Sequence, residues 1–184
     1  MAAAKAPGAK VTYGSWGIGS PGHLGGEQLE LLTGAEMSHV AFKEVSQLFT
    51  SVATGDVQWS FGSIPSSQGM FKAGKIRYLA VAAPRRIPQM PDVPTLDESG
   101  VPGFDAATWY GIYAPHGTPP EAIRWLVARF NEALSDADFT GKLVEQGYVL
   151  VPADASGPKA FAAHTQREVQ RWKQVIETAG IPRN

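Results

Sequence analysis

Apolar positions along the chain switch repeatedly between a period of two and a helical period. Val11-Thr12-Tyr13 predicts a short strand, followed by a glycine-rich run from Gly14 to Gly22. A helix is expected from Pro21 to about Thr33, with Leu24, Leu31 and Leu32 as its apolar stripe and Gly34 as its stop. Ser38 to Phe42 reads as extended and Gln47 to Thr54 as helical. Val57, Trp59 and Phe61 alternate with Gln58 and Ser60, the pattern of a half-buried strand. A helix from about Pro65 to Ala73 then leads into Ile76 to Ala83, whose nearly unbroken apolar character suits a central buried strand.

The second half follows the same alternation. Pro84 to Phe104 is dense in proline and glycine and predicts a loop, with one helical turn around Leu96 to Ser99. Ala106 to Ala114 reads as extended. Thr118-Pro119-Pro120-Glu121 combines a cap, a proline at the first helical position and a capping-box glutamate. The helix it opens runs to about Ser135, with Ile123, Leu126, Val127, Phe130 and Leu134 on one face. Phe139 to Gln146 is a second helix ending at Gly147, and Tyr148 to Val151 a strand. A long helix from Pro158 to Ala179, capped by Ser156, is expected to bury Phe161, Val169, Trp172 and Ile176. Strands alternating with helices indicate an α/β fold with a largely parallel sheet.

Composition narrows the function classes. The formal net charge is −1 with both signs interleaved, which argues against a nucleic-acid binder. There is no cysteine, so disulfides, zinc–thiolate sites and thiol catalysis are excluded. His23, His39, His116 and His164 lack metal-ligand spacing, and no cofactor or metal is expected. No G-x-S-x-G elbow is present, and nothing in the sequence ties Ser15 or Ser20 to a base, so an enzyme is not expected. Met1 to Ala6 reads as the last turn of a helix stopped by Pro7-Gly8, and not as a signal peptide. That reading makes the chain a fragment of a longer one.

The segment from Tyr13 to Leu24 carries the most chemistry. It follows a strand and opens a helix, with Ser20 as the natural N-cap and Pro21 as the first helical residue. Glycines leave backbone N–H groups uncovered, and the helix N-terminus adds partial positive charge, so the turn can hold an anion. Ser15 and Ser20 offer hydroxyl donors, and Trp16 a wall. A tight, well-capped turn satisfies the same residues without a ligand; the crowding of Gly14, Gly17, Gly19 and Gly22 tips the balance towards function. Gly17 to Gly22 also matches the dinucleotide pattern G-x-G-x-x-G, with Glu44 near the offset of a ribose-binding acid. A dinucleotide-binding oxidoreductase is therefore the alternative, although the preceding strand is short and flanked by polar residues. A small-molecule sensor is a third reading. Gly69 to Lys75 resembles a P-loop but has Ile76 where a hydroxyl is needed, and its helix precedes its strand.

Lys5 to Leu24 resembles the corresponding loop of tripartite tricarboxylate transporter substrate-binding proteins, the Bug family. His39 to Lys43, Ala73 to Val81, Met90 to Thr95, Trp109 to Pro115, Gly117 to Pro119 and the terminal Trp172 to Ile181 stretch follow in the family's order. The resemblance implies a periplasmic, two-lobed α/β binding protein of type II. Residues 1–10 would end a truncated helix and 11–105 form the second ligand-binding lobe. Residues 106–184 would supply a crossover strand and helices completing the first lobe. It further implies capture of a small carboxylate, namely a di- or tricarboxylate, an acidic amino acid or an aromatic acid, for delivery to membrane permease subunits. Ser15, Trp16, Gly17, Gly19, Ser20, His23, Phe42 and Gly62 are the candidate ligand-binding residues. Glu44, Gln58 and Gly62 depart from the family's pattern and point to an altered ligand choice, with a solvated Glu44 as the simpler alternative. A fragment without the first lobe's ligand loop would bind with millimolar affinity at best, and its exposed sheet edge and apolar face would favour self-association.

Overall fold

A computed structural model describes Ala4 and residues 10–152 and 156–182. The helical reading of Met1 to Ala6 lies, apart from Ala4, outside the described residues. Two compact units form: Met1–Thr108 with Gln170–Asn184, and Trp109–Val169. Among the described residues, no helix is long and apolar enough to cross a membrane.

In the larger unit, β1 (Val11–Ser15), α1 (Pro21–Thr33), β2 (Met37–Ala41), α2 (Val45–Thr54), β3 (Trp59–Ser60) and α3 (Ile64–Lys72) follow in strict alternation. The three strands form a parallel sheet in the order β2-β1-β3, with Tyr13 opposite both His39 and Trp59. As the central strand, β1 is buried on both faces at Tyr13, Gly14 and Ser15, and so it shows no alternation. Helix α1 approaches β1 closely because glycine faces the sheet: a Cβ on Gly26 would stand 2.2 Å from the Tyr13 ring and one on Gly25 2.9 Å from Phe61. Leu29, Val101 and Phe104 centre the core, with Met37, Trp59, Phe61, Ala82, Leu96 and Ala106 packed around them. The loop that delivers Val101 and Phe104 is stiffened by Thr95 and Glu98, each side chain meeting the other's backbone N–H at 3.1 and 2.7 Å.

The smaller unit holds α4 (Pro120–Ser135), α5 (Ala137–Glu145) and the first part of α6 (Pro158–Thr178). Asp136 caps α5, its side chain accepting the Phe139 N–H at 2.8 Å. Neither α4 nor α5 has a fully buried residue.

Several expectations are corrected. Ile76 to Ala83 is no central strand: only Val81 bridges, to Thr95, and Leu79 is 58% exposed. Its apolar run marks an extended segment with one half-buried side, since β1 holds the centre of the sheet. Ala106 to Ala114 and Tyr148 to Val151 form no ladder either. On α1 the buried stripe is Gly22, His23, Leu24, Gly25, Gly26 and Leu29, while Leu31 and Leu32 face solvent. At α4 the cap is Pro119, and Thr118 instead donates its hydroxyl to the Pro115 carbonyl at 2.8 Å. Phe130, Leu134, Trp125 and Val169 are exposed, and Val175 is the buried residue of α6. Gly157, whose carbonyl accepts the Phe161 N–H at 2.9 Å, occupies the α6 cap position expected for Ser156.

Candidate functional site

In a parallel sheet each strand's carboxyl end feeds the N-terminus of the next helix, so α1, α2 and α3 all start at one edge. The chain leaves β1 for β2 on one side and then crosses to β3 on the other. Such a reversal opens a crevice at the carboxyl ends of the strands, where α/β folds bind ligands. The β1–α1 turn sits at that point.

Ser20 caps α1 in extended conformation, its Oγ accepting the His23 N–H at 3.4 Å, with Pro21 at the first helical position. Gly17 and Gly19 have φ of 123° and 78°, a region that a side chain disfavours. Both have open space where a Cβ would stand, so the backbone angle and not crowding calls for glycine. Gly22 is packed beneath Trp16, whose ring lies 3.3 Å from the position of an added Cβ.

Several of the turn's donors are already committed. The Gly17 N–H meets Ser15 Oγ at 3.2 Å, Gly19 N–H meets His23 Nδ1 at 3.1 Å, and Ser20 N–H meets the Gly17 carbonyl at 3.2 Å. Among the described residues, no partner meets the N–H of Trp16, Ile18 or Gly22. Of the turn's N–H groups these three are left for an added partner, Gly22 from a buried position. The two glycines at positive φ shape the loop, and their own N–H groups are turned inward.

Beneath the turn lies a polar cluster. Ser15 is wholly buried, its Oγ 2.6 Å from His39 Nε2 and 3.0 Å from the Gly17 carbonyl. His23 is also buried, its ring centroid 4.1 Å from that of His39. Its Nε2 lies 3.4 Å from Glu27 Oε1, which also accepts the Tyr13 hydroxyl at 2.8 Å. Burial first, and then the Glu27 carboxylate, push the Tyr13 phenol far above its usual range. Burial, then the neighbouring His23, lower the affinity of His39 for a proton, against a smaller opposing pull from Glu27.

Of the residues singled out in the sequence, Ser15, Trp16, Gly17, Gly19, Ser20 and His23 are contiguous in the turn. Phe42 stands beside them, its N–H donating to the Ser15 carbonyl at 2.8 Å. Gly62 follows β3 at the same edge and lies over Phe49, where a Cβ would come within 2.5 Å of the ring. Glu44 is the exposed N-cap residue of α2, without a side-chain cap bond. An open hollow of about 420 Å³ is lined by Phe42 and by Ser46, Gln47, Thr50 and Ser51 of α2. Sequence reasoning missed Tyr13, Glu27 and His39. The available signals were the i, i+4 spacing of His23 and Glu27 and the polar character of a strand that turns out to be central.

Parallel topology, a reversal beside a glycine-rich turn and a helix opening onto it define one lobe of a periplasmic binding protein. The model of the tripartite tricarboxylate transporter family receptors matches residues 1–181, and the chain belongs to that family. Among solved structures, the R. palustris protein Rpa4515 with adipate is 34% identical with a TM-score of 0.82, covering 93% of this chain and 56% of its own. The periplasmic binding protein BugD is 26% identical with a TM-score of 0.79, covering 97% and 60%. MatC from Rhodopseudomonas palustris with bound malate is 28% identical with a TM-score of 0.78, covering 90% and 56%. The chain spans about half the length of the curated relatives it matches, 51% and 54% in two cases. The dinucleotide reading finds no support in these likenesses. The order β2-β1-β3 also differs from the 3-2-1 order of a dinucleotide fold, because β3 returns to the far side of β1.

Proposed function

We propose that this chain is the part of an extracytoplasmic solute receptor that grips one carboxylate of a small dicarboxylate, which the receptor hands to membrane permease subunits. The observation that carries the proposal is the set of unpaired N–H groups of Trp16, Ile18 and Gly22 at the start of α1. An anion there meets oriented donors and the helix dipole together, each such dipole interaction worth about 0.3–1 kcal/mol. Adipate in one structural neighbour and malate in another support a short dicarboxylate as the ligand class. Trp16 and Phe42 flank the turn and would exclude water. Membership of the receptor family supports a periplasmic setting and a role in capture rather than catalysis.

The test is an amide NMR titration of the chain with adipate, using hexane-1,6-diol as the uncharged control. The turn alone supplies roughly half of a micromolar binding energy, about −4 kcal/mol, so saturation is expected in the millimolar range. The largest shifts should fall on Trp16, Ile18 and Gly22, with none caused by the diol. No shift in the turn at millimolar adipate, or equal shifts with the diol, overturns the proposal.

A further inference from the structure

We propose that His23 is a proton-operated latch that sets which amides the β1–α1 turn presents, acting as a positioning residue and resting on the carboxylate-gripping reading above. The hydrogen-bond arrangement fixes its state. The Gly19 N–H can only donate, so Nδ1, 3.1 Å away, must carry a lone pair. The single ring proton then sits on Nε2, on the side of Glu27, whose Oε1 lies 3.4 Å away. His23 is therefore neutral here, and it ties down an exposed loop residue from a buried position.

Adding a proton reverses the polarity of Nδ1. It becomes a donor facing a donor, and the bond to Gly19 cannot persist. The Gly19 amide is released towards solvent, and the imidazolium presents its own N–H beside the amides of Trp16, Ile18 and Gly22. A latch that opens in acid thus leaves the turn with two more donors and one positive charge, both favouring a carboxylate.

The surrounding groups determine where the proton goes. Glu27 on α1 faces Nε2 and pairs with the protonated ring. His39 on β2 lies tilted against His23 with ring centroids 4.1 Å apart, so the two rings disfavour double protonation. Burial and then His23 lower the affinity of His39 for a proton, and its Nε2 faces the Ser15 hydroxyl rather than a carboxylate. Tyr13 on β1 keeps its proton and donates it to Glu27. Of these groups only His23 has a ring nitrogen that accepts the Gly19 N–H, so a proton on that nitrogen is the one that breaks the bond.

The latch is read without any ligand by NMR, from the His23 ring nitrogens and from Gly19 hydrogen exchange corrected for intrinsic rate, between about pH 8 and about pH 5. One hydrogen bond of ordinary strength corresponds to about tenfold protection. Gly19 should lose that protection as His23 Nδ1 gains its proton. In His23→Asn the side-chain oxygen stands near the place of Nδ1 without titrating, so protection should persist across the range. In His23→Ala it should be absent throughout. Gly19 protection that is independent of pH in the unaltered chain, or equal in the Asn and Ala variants, overturns the latch.

Adipate affinity is the second arm, taken as the ratio of the unaltered chain to His23→Asn at each pH so that the ligand's own ionisation cancels. That ratio should rise about tenfold on acidification; a flat ratio with measurable binding overturns the coupling to ligand. A titrating Gly19 with no adipate binding at any pH keeps the latch and overturns the carboxylate reading instead.

Discussion

The neighbourhood of β1 and the smaller unit are written in the same alternating pattern, yet they pack very differently. Around β1, Tyr13 and Leu48 are wholly shielded and Phe49 and Leu29 nearly so. Between Trp109 and Val169, Tyr110, Ile112, Tyr113, Trp125, Val149 and Val151 are each more than 60% exposed. The difference lies in what the backbone permits. Gly14, Gly25 and Gly26 let neighbouring elements approach until the side chains of Leu48, Phe61 and Tyr13 fill the space a Cβ would occupy. In the smaller unit one such approach occurs, where the Phe161 ring covers Gly111, and apolar side chains elsewhere stand on surfaces that no described residue covers. Apolar periodicity states which face seeks a partner; only small residues at the contact state how near that partner comes.

The sharpest break of this contrast is Tyr13→Ala. Tyr13 is wholly buried, stacked on Trp59 at 5.1 Å, and its hydroxyl is held by Glu27. Removing it empties the space between β1 and α1 and takes the phenol hydroxyl from the Glu27 carboxylate. The expected loss is about 3–5 kcal/mol of unfolding free energy, read from the urea midpoint. A loss under about 1 kcal/mol would mean that the ring's enclosure contributes little and that the two regions are packed alike.

Gly26→Ala comes next. The added Cβ meets Tyr13 ring atoms at 2.2, 2.5 and 2.9 Å, so the aromatic ring itself, packed and without freedom to retreat, must shift. Overpacking of this kind costs about 1–3 kcal/mol, against a gain below about 1 kcal/mol from the better helix former. Net destabilisation is expected in thermal unfolding. A rise in melting temperature would show that α1 can move off β1, and that the glycines are not what brings the two together.

Much of the framework around the site was legible. Ser20 and Pro21 opening α1, Gly34 closing it, and the parallel order of strand and helix follow from local chemistry that tertiary packing does not overrule. What failed was the inference from an apolar run to burial. Ile76 to Ala83 is as apolar as a central strand, but a strand needs a paired neighbour, and among the described residues only Val81 bridges, to Thr95. Leu31 and Leu32 match a helical stripe, but the face of α1 is chosen by its glycines, which a hydrophobicity pattern does not weight. At the site, the glycine-rich turn was visible and the fate of its amides was not. That Gly17 and Gly19 donate inward depends on Ser15 and His23 being buried beneath them. The placement of half-buried His39 against Ser15 and His23, from a strand two elements away, was beyond the reach of local reasoning.

The smallest expected effect is at the other pole of the comparison. Tyr110 is 73% exposed and meets Tyr148 only edge-on, with ring centroids 5.7 Å apart. Such a pair in water gives little beyond the area it hides, so Tyr110→Ser should change stability by less than about 0.5 kcal/mol. The slope of the urea transition should also stay unchanged, because the substitution removes little buried surface. A loss approaching that of Tyr13→Ala would mean that this face is covered in solution, and protein concentration identifies the cover. If a second copy of the chain supplies it, the unfolding midpoint of the unaltered protein rises with concentration, and that dependence vanishes in the variant. A midpoint independent of concentration in both leaves Tyr110 a solvated side chain, and the difference between the two regions is then one of packing alone.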